Sequence, residues 1–358
     1  MVNNFKVNGQ NFSDYMQNAL YGEDGFYTKG NGAGRERDYL TSPEVGELFG
    51  LVISDYIQNW FNNIETEKAN VVEIGSGPGS LAASIARSNK DFLENINYFL
   101  VDISPEHRET SKKKLQNIKT VMSWNVFETI PETEGSTLII ANELLDNLVF
   151  DIGFTHDIYQ EYQPDRLNVH EVMAKFGVFG NIDLANKSNV STNIDNFPVP
   201  IHTGISNWLG EVIDACSQVT ALELLMFDYI KSVESMKDGN WLRLYQDNKR
   251  IVGVENVLNA LNAGACGDIT TDIIKEDLML ALDLNGFSKI TFDDQKSWLE
   301  KNGIDAYVNT ADNSSYDQLK KFIENDTSAN SNYGVERNLL TDLNGLGAFG
   351  VVSAKREI

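Results

Sequence analysis

A chain of 358 residues, 42% hydrophobic and 23% charged, has material for a sizeable core and roughly two domains, and is not a disordered polymer. Its 52 acidic against 29 basic residues leave a net charge of −23, which repels nucleic acid and anionic lipid and favours a basic partner at low salt, although solubility alone also accounts for such a surface. Cys216 and Cys266 are too few for a disulfide framework or thiolate cluster, the scattered His107, His156, His170 and His202 lack metal-ligand spacing, and no apolar run reaches the ~20 residues of a membrane helix.

The opening Met1-Val2-Asn3-Asn4-Phe5-Lys6 carries neither an apolar signal core nor an Arg-rich transit segment, so the expected location is the cytoplasm. Phe12, Tyr15, Met16, Ala19 and Leu20 then recur at helical spacing, and a glycine-rich loop follows over 22–34. A second helix is expected after Ser42-Pro43-Glu44, with Ser42 as N-cap, Pro43 at N1 and a stripe of Val45, Leu48, Phe49, Val52, Ile53, Tyr56 and Ile57.

From residue 71 short apolar strands alternate with helical segments. Strands are expected at 71–74, 98–103 and 137–141, with a weaker one near 119–122; residues 222–229, 288–292 and 348–354 read as later strands. Such alternation argues for a mostly parallel α/β sheet covered by helices on both faces. Between these runs, 150–215 mixes aromatic and polar residues with Asn-rich turns and Pro198-Val199-Pro200, and reads as an inserted substrate-side unit with antiparallel strands. Residues 326–332 read as a surface loop. The expected organisation is a helical lid over 1–68, a core over 69–149 and 218–358, and an insertion over 150–217.

The chemistry concentrates at three strand ends. Gly75, Ser76, Gly77 and Gly79 follow the first strand and precede a helix, where glycine lets a ligand approach the backbone at the carboxyl end of a parallel strand. Ser80 stands where a dinucleotide fingerprint would have its third glycine, and Glu73, inside the strand, calls for a cation or hydrogen bonds. Asp102, followed by Ile103, ends the second strand, where a carboxylate accepts both hydroxyls of a ribose or simply begins the next helix. Together these features favour a nucleoside cofactor, and the missing Walker lysine disfavours a nucleotide triphosphatase. Asn142-Glu143-Leu144-Leu145-Asp146 ends a third strand. If a helix starts there, Glu143 and Asp146 share a face and clamp a guanidinium or ammonium, or else merely complement a helix dipole.

Four segments in order then resemble the MidA-like methyltransferase family, which includes the mitochondrial complex I assembly arginine methyltransferase. They are Tyr21-Gly22-Glu23-Asp24-Gly25-Phe26-Tyr27, Asp38-Tyr39-Leu40-Thr41-Ser42-Pro43-Glu44, the Glu73 loop and Asn142-Glu143-Leu144-Leu145-Asp146. The resemblance implies a class I, Rossmann-like methyltransferase fold with a helical lid and S-adenosylmethionine held by Gly75, Gly77 and Asp102. It also implies that Thr41 and Ser42 lie near the cofactor, that Asn125 and Val126 lie near its adenine, and that Asn142 belongs to the site. The acceptor it implies is a protein arginine, as on a respiratory complex I subunit. Pro78, Leu144, Leu145 and Val149 depart from the family pattern and alter the acceptor side. The readings carried forward have Glu143 and Asp146 as catalytic residues, no metal, no nucleic acid, no membrane insertion, and a homodimer as a compatible assembly. The competing readings are a small-molecule O- or N-methyltransferase, an assembly protein that keeps the cofactor site, and a NAD-dependent dehydrogenase.

Overall fold

Seven strands among the described residues pair into one sheet, and its central strands carry nearly unbroken apolar runs, the pattern of strands buried on both faces. In the computed structural model, which describes residues 5–29, 41–155, 196–246, 249–308 and 333–357, they are β1 (Ala69–Ile74), β2 (Ile96–Val101), β3 (Ser123–Phe127), β4 (Glu134–Asn142), β5 (Gln218–Asp228), β6 (Ser288–Asp294) and β7 (Gly350–Glu357). The sheet order is β6-β7-β5-β4-β1-β2-β3. Strands β1 to β5 are parallel, and β7 runs antiparallel to both β5 and β6. Alternate residues feed two cores. Val71, Leu138, Ile140, Leu225 and Phe227 face one, while Val72, Ile139, Ala141, Leu224 and Met226 face the other.

The first core is covered by helices α3 (Leu48–Asn62), α4 (Ser80–Ser88) and α9 (Gln295–Lys301), and the second by α6 (Thr203–Ala215) and α8 (Lys275–Leu284). Among the described residues the remaining α-helices are α1 (Phe12–Tyr21), α2 (Ser42–Val45), α5 (Pro105–Gln116), α7 (Val254–Asn262) and α10 (Tyr333–Leu340). A third core joins Phe12, Met16 and Leu20 of α1 to Phe150, Ile152, Val199, Trp241, Leu244 and Val257. The N-terminal helix therefore packs on segments that follow β4 and β5 in the chain.

Several sequence expectations shift. The third strand lies at 123–127, not 119–122, because this edge strand alternates exposed and half-buried residues and offers no apolar run to read. The second strand ends at Val101, two residues earlier than expected. The helix after Ser42 is broken: Gly46 is extended, and a Cβ there would meet the Glu336 carboxyl at 2.1 Å. That carboxyl instead accepts the Leu48 N–H at 2.7 Å and starts α3. Ser42 is the first helical residue rather than the cap, and its hydroxyl donates to Gln295 Oε1 at 3.1 Å. The expected antiparallel pairing after residue 150 is present as Asp151–Phe154 against Pro198–Ile201. Helix α6, also within the expected insertion, packs on the sheet. Residues 30–40, including Asp38, Tyr39 and Leu40, lie outside the described residues, as do His156, His170, most of the insertion and the loop 326–332.

Candidate active site

Register brings three strand ends side by side. Ile74 pairs with both Val101 and Ala141, so the residues after β1, β2 and β4 share one edge, at the point where the strand order reverses. A cleft of about 430 Å³ opens there.

After β1 the chain turns through Gly75, Gly77 and Gly79 at φ of +72°, +52° and +75°. These values favour glycine. The Gly75 and Ser76 N–H groups both donate to Val101 O, at 2.9 and 3.0 Å, which locks the loop to β2. A Cβ on Gly79 would strike Ser111 Cβ at 2.7 Å, whereas a Cβ on Gly77 would meet nothing within 4 Å. Gly79 is thus needed for packing against α5, and Gly77 is where a ligand can reach the backbone.

Glu73, 4% exposed, accepts the Tyr98 hydroxyl at 2.8 Å. Burial pushes its carboxyl up to about 8, against the lowering effect of that hydrogen bond, with Asp102 adding to the rise. Asp102 braces two turns at once. Its Oδ2 accepts the Gly77 N–H at 2.7 Å, and its Oδ1 accepts the Ser104 N–H at 2.8 Å. Both readings of this acid hold: it supports the start of α5 and also lines the cleft beside Ile103, an apolar side chain left 45% exposed.

Asn125 and Val126 are a correction. They sit inside β3, paired with Phe99 and Leu100, and are absent from the cleft wall. Because the strand starts later than expected, the residues at its end are Glu128, Thr129 and Ile130, and these line the cleft.

At the end of β4, Glu143 adopts the left-handed conformation at φ +52° and its N–H donates to Phe227 O at 2.8 Å. Its Oε1 accepts the Ser42 N–H at 3.2 Å and the Asn142 amide at 3.1 Å. Among the described residues no donor reaches its Oε2. Burial raises the carboxyl to about 8, opposed by the Ser42 hydrogen bond, with nearby Asp228 adding to the rise. Thr41 lines the cleft, while Ser42, fully buried, sits behind Glu143 as its support.

Asp146 is a second correction. Glu143 is at a strand end and Asp146 in the short 3-10 turn Leu145–Asn147, so no single helix face carries them. Asp146 is 3% exposed and does not line the cleft; burial, with Asp228 and Asp268 nearby, holds its carboxyl well above the usual range. Beneath it Asp228 accepts the backbone N–H groups of Leu145 at 2.7 Å, Asp146 at 3.4 Å and Tyr229 at 2.8 Å.

The cleft also contains residues to which the sequence reading gave no role. Tyr21 and Tyr27 stack with ring centroids 5.7 Å apart, and the Tyr21 hydroxyl donates to Asn147 O at 2.8 Å. Asn147, Trp208 and Glu211 line the same wall. The Tyr21 to Tyr27 segment was visible as a resemblance. Trp208 carried no local signal, because α6 reaches the cleft only through the fold. Six acids, Glu44, Glu73, Asp102, Glu128, Glu143 and Glu211, face His107 as the one basic side chain in this lining, which suits a cationic ligand.

The family model described as “Putative S-adenosyl-L-methionine-dependent methyltransferase” matches residues 52–272, more than half of the chain. The chain belongs to this family. Curated relatives include the mitochondrial protein arginine methyltransferase NDUFAF7 of Danio rerio, 30% identical over 115 residues that cover 30% of this chain and 27% of that protein. Its Drosophila melanogaster homolog is 28% identical over 97 residues, 26% of this chain and 22% of that one. The chain thus spans about a quarter of the length of the curated relatives it matches. A Burkholderia thailandensis superfamily protein solved with S-adenosyl-homocysteine superposes with a TM-score of 0.63 at 18% identity, covering 97% of this chain and 88% of that one. The likeness confirms the class I methyltransferase fold, and the family bears out the MidA-like resemblance.

The family's cofactor is S-adenosylmethionine, and the residues present fit it. Ser76 Oγ and Asn142 Oδ1 are buried beside the glycine loop without a hydrogen-bond partner, and the Asn142 amide nitrogen is already committed to Glu143. A donor and an acceptor so placed suit an amino-acid carboxylate and ammonium, with Glu73 to balance the positive charge. Asp102 and Ile103 suit a ribose and the flat face of a base. Among the described residues no helix is long and apolar enough to cross a membrane.

Proposed function

We propose that the protein transfers a methyl group from S-adenosylmethionine to nitrogen, and that its acceptor is a protein arginine. The observation that carries this reading is Glu143: a carboxylate fixed through Oε1 by two hydrogen bonds, with Oε2 left for an incoming N–H donor. When bound, the cofactor supplies an electrophilic methyl group on a sulfonium, which departs as a neutral thioether. The chain's own work is positioning and proton handling. Gly75, Ser76, Gly77, Asp102, Ile103 and Asn142 hold the donor, with Glu73 beneath. Glu143 Oε2 orients the acceptor nitrogen and takes the proton that nitrogen loses as its new bond to carbon forms. A carboxyl raised to about 8 is matched to that task near neutral pH. Asp228 supports the turn from below.

The names of the curated relatives support an arginine acceptor. The proposed acceptor side draws on Tyr21 and Tyr27, and α1 before them packs on the strands after residue 150. A complex I subunit is the first protein acceptor to try, and a cytoplasmic location and a homodimer belong to this proposal. Intact-protein mass spectrometry with labelled cofactor tests it. An increment of about 14 daltons per methyl, plus the mass of the label, is expected on an arginine-bearing protein. Label found only on metabolites would replace the reading with small-molecule transfer.

A further inference from the structure

The cleft lining holds two more residues with a buried polar atom that lacks a hydrogen-bond partner, neither of them in the glycine loop. Asn147, 8% exposed, leaves its Oδ1 unpaired, and Trp208, 4% exposed, leaves its indole N–H unpaired. Both residues line the cleft. Buried polar groups in folded proteins almost always find a partner, so a pair of exceptions among the residues of one cleft points to a ligand that supplies it. Neither side chain is loosely held. Asn147 is anchored through its backbone, its N–H donating to Leu144 O at 3.3 Å and its carbonyl accepting the Tyr21 hydroxyl. Trp208 is buried in the second core, against which Leu144 and Leu148 also pack.

We propose that Asn147 and Trp208 are specificity-determining residues that select a guanidinium carried on a peptide. This rests on the arginine reading above and assigns it to residues. Asn147 Oδ1 and Glu143 Oε2 are both acceptors, so a group that engages both brings at least two N–H donors. A hydroxyl, phenol or thiol brings one; a guanidinium brings five in a plane. The Tyr21 and Tyr27 hydroxyls are committed to Asn147 O and Asp268 Oδ1, so ring surface is what this stacked pair offers the cleft. A flat aromatic wall suits a planar cation better than a compact ammonium. The Trp208 N–H, the one unpaired donor in this wall among the described residues, takes a carbonyl, which a peptide main chain provides.

The test is calorimetric titration of the full chain, saturated with S-adenosylhomocysteine, with three blocked tripeptides: Gly-Arg-Gly, Gly-Lys-Gly and Gly-citrulline-Gly. The arginine peptide is expected to bind at least tenfold tighter than the other two. Asn147→Leu is expected to weaken it at least tenfold and Trp208→Phe severalfold, with S-adenosylhomocysteine affinity within twofold of wild type. Asn147→Asp keeps the shape and the acceptors, and is expected to retain arginine binding. Equal binding of the citrulline or lysine peptide, no binding of the arginine peptide, or full affinity in Asn147→Leu overturns the inference while the cofactor assignment stands. Failure of wild type to bind S-adenosylhomocysteine overturns the methyltransferase reading beneath it.

Discussion

At the residue scale, the proposed mechanism divides the labour between two carboxyls, and each makes a separable prediction. Glu143 as proton acceptor requires its base form, so kcat/KM is expected to rise with pH to a plateau above an apparent value near 8. Glu143→Gln is expected to lower kcat by about 10²- to 10⁴-fold and flatten that profile, which steady-state assays over pH 6 to 10 would show. Glu73 responds to the cofactor instead. Its carboxyl is also raised to about 8, so it is protonated in the empty cleft at pH 7, and an arriving ammonium displaces the proton. Calorimetry in buffers of differing ionisation heat is expected to record proton release on binding, lost in Glu73→Gln. The sign for stability follows. A folded-state value of about 8 against 4.5 in the free side chain means the native protein holds a proton the unfolded chain has lost between those values. The stability this group contributes is complete below about 4.5 and lost as pH rises through 8, so Glu73→Gln is expected to make the fall of the thermal melting point over that window shallower, with Glu143 supplying part of what remains. The site was legible where its chemistry is local: the glycines with Glu73, Asp102 and Glu143 each stand in or directly after a readable apolar strand. Asn147 and Trp208 were not, because what distinguishes them is an unpaired atom in a wall assembled from distant segments.

At the scale of elements, the decisive piece is the turn after β4. Sequence spacing suggested a helix presenting Glu143 and Asp146 together; the left-handed Glu143 and the Asp228 carboxylate make a tight turn instead, sending one acid to the cleft and the other inward. No local pattern announces this, since Asp228 lies at the end of β5. Asp228→Ala leaves buried backbone N–H groups unmet and is expected to cost about 2 to 4 kcal/mol in urea unfolding, with Asp228→Asn milder. The α2–α3 break is similar. Val45, Leu48, Phe49, Val52, Ile53 and Ile57 are buried as their stripe foretold, but Glu336, from far along the chain, fills the space at Gly46 and interrupts the helix. Gly46→Ala is expected to destabilise by about 1 to 3 kcal/mol through that contact alone, because the extended backbone there suits any residue. The central strands were readable because burial on both faces demands apolar runs. Edge strand β3 has no such demand, and the misplaced Asn125 and Val126 followed from it.

At the scale of the molecule, a net charge of −23 and a cleft lined by acids act in the same direction. S-adenosylmethionine carries one net positive charge more than S-adenosylhomocysteine, so the field favours substrate over product. Raising salt from about 50 to 500 mM is expected to weaken the methyl donor more than the spent product, because screening shortens the reach of the surface acids. Competition binding at the two salt levels would measure the ratio. The central claim is that the glycine loop between β1 and α4 holds the cofactor, and the most direct test is calorimetric titration of S-adenosylhomocysteine into wild type, Gly77→Val and Asp102→Ala, with circular dichroism to verify folding. Stoichiometric binding by wild type and at least a hundredfold loss in folded Gly77→Val, with a smaller loss in Asp102→Ala, is the expected result. Wild-type affinity in both variants would contradict the assignment.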